Sequence, residues 1–405
     1  MATPSRSAPA HIVLVGAGHA HVFVLEAFGR RPDPTVRLTL VTPGERTPYS
    51  GMLPGYLAGQ YALSDMTIDA AGLARFAGAE LRLARASAVL ADEGVLVLEG
   101  GERIAYDLLS LDVGSQPAKG HGGGHGGGQG GDGKGIAVKP VERFAETVDR
   151  IVRDAPRAGE RPFSLAVVGA GVAGTELAFA FRRRLHDEGV PHRIVLVGGG
   201  REVVPERSSR TRGRIRSALA RHGIETVLGA RVASADGAGL VLENGRRVAA
   251  DAVVWATTSS APAWLQDGGG LQDGVGSQDG VGPRDGGLRL ENGYVAVDET
   301  LRSVSHRNVF AAGDIAALPN PRPKAGVFAV RQGPVLAENL RRAARGDALV
   351  PFRPQDAWLA LISTADGRAV ADKWNLSVEG RWVARWKEWN DRRFVDRFNA
   401  LAAEA

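Results

Sequence analysis

Two short stretches carry residue types at a spacing suited to holding a pyrophosphate. In VGAGHAHV, residues 15–22, a branched apolar run over 12–15 leads into Gly16 and Gly18; in VGAGVAG, residues 168–174, a similar run over 165–168 leads into Gly169, Gly171 and Gly174. Glycines at this spacing let a tight turn bring backbone N–H groups, at the positive end of a helix dipole, against a phosphate. The third position of the pattern normally lets helix and strand pack closely, and in the first copy it is His21. A single G-x-G-x-x-G is a weak signal. Two copies, each following a β run and each opening an apolar-periodic helix, predict two dinucleotide-binding domains. An empty nucleotide fold that merely packs is the alternative.

A third stretch, NVFAAGD at 308–314, reads as a buried strand over 309–312 that ends in Gly313 and Asp314. An acid at the carboxyl edge of a sheet can accept hydrogen bonds from polyol hydroxyls such as a ribityl chain, or it can cap a following helix.

The elements that must position these residues emerge once two biased segments are set aside. Residues 119–135 are nearly all glycine, and residues 266–287 repeat a six-residue unit with Asp267, Asp273, Asp279 and Asp285 in step. Both read as surface insertions, because they gain too little burial to offset their ordering entropy. The repeat spacing matches no calcium loop, and His121 and His125 lie in a segment that fixes no metal geometry, so no metal site is expected. What remains is duplicated. EGGERIAYDLLSLDVGS, 99–115, aligns without a gap on ENGRRVAADAVVWATTS, 243–259, at a constant offset of 144. Each copy reads as a hairpin, then an aspartate (Asp107, Asp251), then an apolar strand. The fold class expected is α/β: two Rossmann-like domains, the first discontinuous, plus a small C-terminal α+β region. The boundaries are a disordered tail at 1–10, a first domain at 11–118 and 288–345, a second at 136–265, and a cap or interface region at 346–405.

Bulk composition narrows the chemistry. The 405 residues, 44% hydrophobic, suit two or three globular domains. No apolar run reaches the roughly 18 residues that would span a bilayer, and MATPSRSAPA lacks a secretory core, so a cytoplasmic, soluble or peripheral protein is expected. With zero cysteines the chain has no disulfide, thiolate metal site, iron–sulfur cluster or dithiol relay. The net charge of +5 is spread along the chain without the patterning of a nucleic-acid groove.

Taken together, the two nucleotide motifs, the strand ends DVGS and ATTS, and VFAAGD followed by PKAGVFAVRQGPVLAENL resemble the two-dinucleotide flavoproteins of the pyridine nucleotide-disulfide oxidoreductase superfamily. VGAGHAHVFVL, TPYSGMLPG, LALIST and RWKEWNDRRF resemble a narrower group within it, akin to type II NADH dehydrogenases, that also occurs fused in front of selenide, water dikinase.

The resemblance implies FAD in the first domain and NAD(P)H in the second. Gly16, Gly18 and His19 would meet the FAD pyrophosphate, and Asp314, after Gly313, would hold the ribityl chain. A helix starting near Ala325 and Gly326 would aim its N-terminus at the flavin's N1–O2 edge. Tyr49, Ser50 and Met52 would approach the isoalloxazine from one side, with Lys324 and Gln332 flanking the other. Gly169, Gly171 and Gly174 would cradle the nicotinamide nucleotide. The acids that usually end the second strand of each domain are replaced by Thr42 and Gly198; Glu45 is a substitute in the first domain, and Arg201 could meet a 2′-phosphate in the second.

Without cysteines, the implied reaction is hydride transfer from NAD(P)H to flavin, then electron transfer to a quinone or other small acceptor, and no acid–base residue is assigned. A non-catalytic flavin or nucleotide sensor, or an electron-delivery partner in selenium metabolism, is the alternative. In the C-terminal region, residues 381–398 place Trp382, Trp386, Trp389 and Phe398 among arginines. Such a helix could lie on an anionic membrane at the inner face of the cytoplasmic membrane, or pack on its own domain or at a homodimer interface.

Overall fold

The computed structural model describes residues 8–117, 135–138, 141–155, 161–257, 259–266 and 287–405. His121, His125, the four repeated aspartates and Thr258 at the second ATTS end lie outside them.

The first domain starts with strand β1 (Ala10–Val15), helix α1 (His21–Arg30), β2 (Val36–Thr42), β3 (Glu80–Leu83) and β4 (Leu108–Leu111). The second contributes β5 (Gly135–Ala137), β6 (Phe163–Val168), α2 (Val172–Asp187), β7 (His192–Gly198), β8 (Glu225–Leu228) and β9 (Ala252–Trp255). The chain then returns through β10 (Val309–Ala311) and the long helix α3 (Gly326–Arg345). It ends in the antiparallel sheet β11 (Ala360–Ser363), β12 (Ala369–Lys373), β13 (Leu376–Gly380) and helix α4 (Arg381–Ala403).

The first sheet is ordered β10-β4-β1-β2-β3 and the second β5-β9-β6-β7-β8, every neighbouring pair parallel. The two sheets match strand for strand except at the outer edge. That edge comes from beyond the second domain in the first sheet, and from the segment before it in the second. The fold is therefore two Rossmann-like units with the first interrupted by the second. Central strands buried on both faces explain the unbroken apolar runs of β1 and β6. The duplicated aspartates make the same joint: Asp107 Oδ2 accepts the His11 N–H at 2.7 Å and Asp251 Oδ2 the Ser164 N–H at 2.9 Å. Each fastens the start of its central strand to the neighbouring strand that follows the hairpin.

Element ends differ slightly from the sequence pattern. β1 begins at Ala10, β10 stops at Ala311 because Gly313 opens a 3-10 turn, Ala325 is the N-cap of α3, and α4 runs to Ala403. The last helix buries Val383, Val395, Phe398 and Leu401, each fully buried apolar side chain contributing roughly 1.5–3 kcal/mol. It lies on the first domain: Asn399 accepts the Asp69 N–H at 2.8 Å and donates to the Thr67 carbonyl at 3.0 Å, and Arg397 pairs with Glu26 at 2.6 Å. No helix among the described residues is long and apolar enough to cross a membrane.

Candidate functional site

The first glycine turn rides on Asp112, the residue immediately after β4. Gly16 has φ +87°, and a Cβ on it would strike the Asp112 carbonyl; a Cβ on Gly18 would strike the Asp112 carboxyl. That carboxyl is buried and accepts two N–H groups of the first turn of α1, from Ala20 at 2.7 Å and His21 at 3.0 Å. Burial, helped by the charge of Asp314, pushes Asp112 up to about 7 against the pull of those N–H groups.

His21 occupies the third glycine position without contacting solvent. Its Nδ1 lies 2.6 Å from the Gly16 carbonyl and its Nε2 2.8 Å from the Ser110 hydroxyl. A carbonyl only accepts, so Nδ1 carries the proton and Nε2 accepts from Ser110. Burial lowers its pKa to about 4, so the ring is neutral and serves as a structural wedge.

The sequence-derived flavin residues converge around the C-terminal edge of this sheet. Asp314 sits in the 3-10 turn Gly313–Ile315 and accepts the Ser115 hydroxyl at 3.0 Å, while Gln332 on α3 accepts the Gly313 N–H at 2.5 Å. Lys324 donates to the Ala316 carbonyl at 2.6 Å and lies 4.1 Å above the Tyr294 ring; burial lowers its pKa, partly opposed by Asp314. A cavity of about 160 Å³ is lined by Gly313, Asp314, Lys324, Ala325, Gln332 and Tyr294. No side chain caps α3, and the His19 ring approaches Gly326 at its start. A glycine cradle, a carboxylate at the sheet edge and an uncapped helix N-terminus form a donor and acceptor set that fits FAD. Thr42 is buried at the end of β2, whereas Glu45 and Ser50 are exposed.

In the second copy the glycines divide their work. A Cβ on Gly174 would collide with the Gly169 carbonyl, so this residue is needed for close helix–strand packing. Gly171 is the N-cap of α2, and a Cβ there would meet nothing nearer than Glu206 Oε1 at 3.6 Å. It faces open space at the start of the helix. The exposed Glu206 accepts the Val172 N–H at 3.0 Å at this mouth. Arg201 is exposed on the loop after β7, where the Arg231 side chain packs across Gly199.

Sequence reasoning missed a buried polar network that joins both domains to α4. Lys387 donates to Asp391 at 2.8 Å and to the Gly51 carbonyl at 3.0 Å. The Tyr49 hydroxyl hydrogen-bonds to Asp391, and its ring packs on Phe394 (4.6 Å between centroids) and His19 (5.1 Å). Glu176 of α2, also buried, accepts the Ser363 N–H at 2.8 Å. Burial opposes the Lys387 ammonium, but Glu176 and Asp391 outweigh it and raise its pKa. Burial, with Asp391, raises Tyr49, and burial raises Asp391 despite the attraction of Lys387. At neutral pH Lys387 is charged and Tyr49 keeps its proton. The i, i+4 pairing of Lys387 with Asp391 is the local signal that could have found part of this network. Beside it opens a cavity of about 510 Å³ lined by Gly51, Tyr61, Arg368, Arg385, Lys387 and Asp391 among others. Among the described residues no group of three His, Asp or Glu could hold a metal ion.

Residues 10–333 match the family model described as pyridine nucleotide-disulphide oxidoreductase. An NADH dehydrogenase-like protein of Mycobacterium tuberculosis is 27% identical over 327 residues, covering 76% of this chain and 72% of that protein. Among solved structures, the sulfide:quinone oxidoreductase of Aquifex aeolicus has a TM-score of 0.74 at 14% identity, covering 97% of this chain and 92% of its own. NDH2 of Plasmodium falciparum, solved in complex with NADH, has a TM-score of 0.76 at 13% identity, covering 96% and 97%. At these identities the structures share a fold.

Proposed function

The chain belongs to the pyridine nucleotide-disulphide oxidoreductase family of flavin enzymes, and from that premise we propose that it carries electrons from NAD(P)H through FAD to a small acceptor, a quinone being the favoured class, without a cysteine relay. The observation that supports this most directly is the strand-for-strand doubling of the dinucleotide sheet in a chain with zero cysteines.

When bound, FAD supplies the hydride and electron chemistry. The residues of the chain do the rest. The Gly16–Gly18 turn and α1 hold the pyrophosphate, Asp314 binds the ribityl hydroxyls, and the start of α3 faces the flavin's anionic edge. His19 stands by the pyrophosphate with its ring packed on Tyr49, which lines the flavin ring side. Gly169 and Gly171 position NAD(P)H, with Arg201 available to a 2′-phosphate. Reducing a quinone consumes protons, and the Tyr49–Asp391–Lys387 network places exchangeable protons beside the larger cavity. On α4, Trp382, Trp386 and Trp389 are 56%, 38% and 55% exposed at i, i+4, i+7 spacing among arginines. This face supports peripheral contact with an anionic bilayer, where a quinone dissolves.

The test is anaerobic reduction. The purified protein is expected to be yellow, to bleach within seconds on adding NADH or NADPH, and to regain its colour with a quinone. A colourless protein that takes up no FAD, or a yellow one that neither nucleotide bleaches, would refute the proposal.

A further inference from the structure

Asp112 stands where the second domain has Ala256, at the shared offset of 144. The alanine leaves the start of α2 to an exposed glutamate, whereas the aspartate fixes a buried carboxyl under the start of α1. It draws the Ala20 and His21 N–H groups, two donors of the turn assigned to the flavin pyrophosphate. The neighbouring elements bring no cation to offset it. From the glycine turn comes His19 and from α1 the neutral His21; from β4 comes Ser110, bonded to His21. From the 3-10 turn comes Asp314, whose negative charge acts on Asp112. From α3 comes Gln332, engaged by the Gly313 N–H, and Lys324 just before it bonds the Ala316 carbonyl and acts on Asp314. A Cβ on either Gly313 or Gly18 would lie 2.5 Å from Asp112 Oδ1, so both glycines pack closely against the carboxyl. An ionised Asp112, Asp314 and a pyrophosphate would thus crowd negative charge around one helix start.

We propose that Asp112 is a flavin-positioning residue that binds FAD in its protonated form, so that FAD binding takes up one solvent proton wherever Asp112 is ionised in the free protein. The inference rests on the flavin reading above. Burial holds the carboxyl up at about 7, which makes the neutral form available near neutrality. Below that pH Asp112 is protonated in both the free protein and the complex, and affinity is flat. Above it, the dissociation constant for FAD rises by up to about tenfold per pH unit until Asp112 titrates in the complex as well.

The experiment measures FAD binding to apoprotein between about pH 6 and 9 by flavin fluorescence, with calorimetry in two buffers of different ionisation enthalpy to count protons. The wild type should weaken above about pH 7 and take up close to one proton at pH 8. Asp112→Asn keeps an oxygen to accept the Ala20 and His21 N–H groups but cannot ionise. It should bind with little pH dependence and about tenfold or more tighter than wild type near pH 8.5. Equal slopes in the two proteins, or no proton uptake by the wild type, would overturn the proposal, and the proton count decides by itself if the variant does not fold. If the wild type binds no FAD at any pH, the flavin reading itself falls.

Discussion

Lys387 and Asp391 lie one turn apart on α4 with Nζ 2.8 Å from Oδ2, and Glu176 of the other domain acts on the same ammonium. Removing the cation leaves two buried carboxyl groups without it. Lys387→Met is expected to cost about 3–5 kcal/mol by denaturant unfolding, with part regained in the Lys387→Met/Asp391→Asn double variant. It should slow reoxidation by a quinone about tenfold or more, while reoxidation by ferricyanide, which takes no proton, stays within a few-fold. Equal slowing with both oxidants would count against a proton role.

His21 is held near 4, below its ordinary 6.5, by burial. The unfolded chain therefore binds a proton below about 6.5 that the folded chain refuses. The stability due to the neutral ring is complete above that pH and is lost as pH falls towards about 4, at about 1.4 kcal/mol per unit and about 3 kcal/mol in all. Denaturant unfolding at several pH values should show this slope in the wild type and a shallower one in His21→Gln.

The two glycines of the second turn should separate packing from binding. Gly174→Ala forces a methyl group into the Gly169 carbonyl and is expected to destabilise the second domain by about 1–3 kcal/mol. Gly171→Ala has room within the protein and should leave the melting temperature within a degree or two. Its methyl group stands in the nucleotide's path, so the KM for NAD(P)H should rise about tenfold or more with flavin content unchanged. Melting curves and steady-state kinetics on the two variants check this; a Gly171→Ala protein with normal KM would move the nucleotide elsewhere.

The exposed tryptophans of α4 predict a surface affinity. Replacing Trp382, Trp386 and Trp389 by serine should lower binding to anionic lipid vesicles about tenfold or more in a sedimentation assay, with ferricyanide reduction in solution unchanged. Unchanged vesicle binding would remove the tryptophans from any membrane contact.

Much of this architecture was legible because it occurs twice. The offset that aligns Asp107 with Asp251 also aligns the strands they fasten, so the repeated sheet order followed from the repeated pattern. Gly313, Asp314 and Lys324 meet in one cavity because a short strand and turn deliver them in sequence. The Lys387 contact with Gly51 bridges 336 residues, and no local period reports a pairing across that distance. Asp112 stayed hidden for another reason. In the duplicated alignment it replaces an alanine at the end of an apolar strand, and a buried acid is not what hydrophobic patterning leads one to expect there.

The outer strand β10 has a consequence for biosynthesis. It begins at Val309, so a ribosome must deliver the whole second domain before the first sheet receives its fifth strand, Asp314 and the start of α3. Until then β4 presents an open edge, and the nascent chain holds one finished nucleotide domain inside an unfinished one. On the proposed role of the first domain, flavin capture comes late in the life of the polypeptide, after most of the chain has been made.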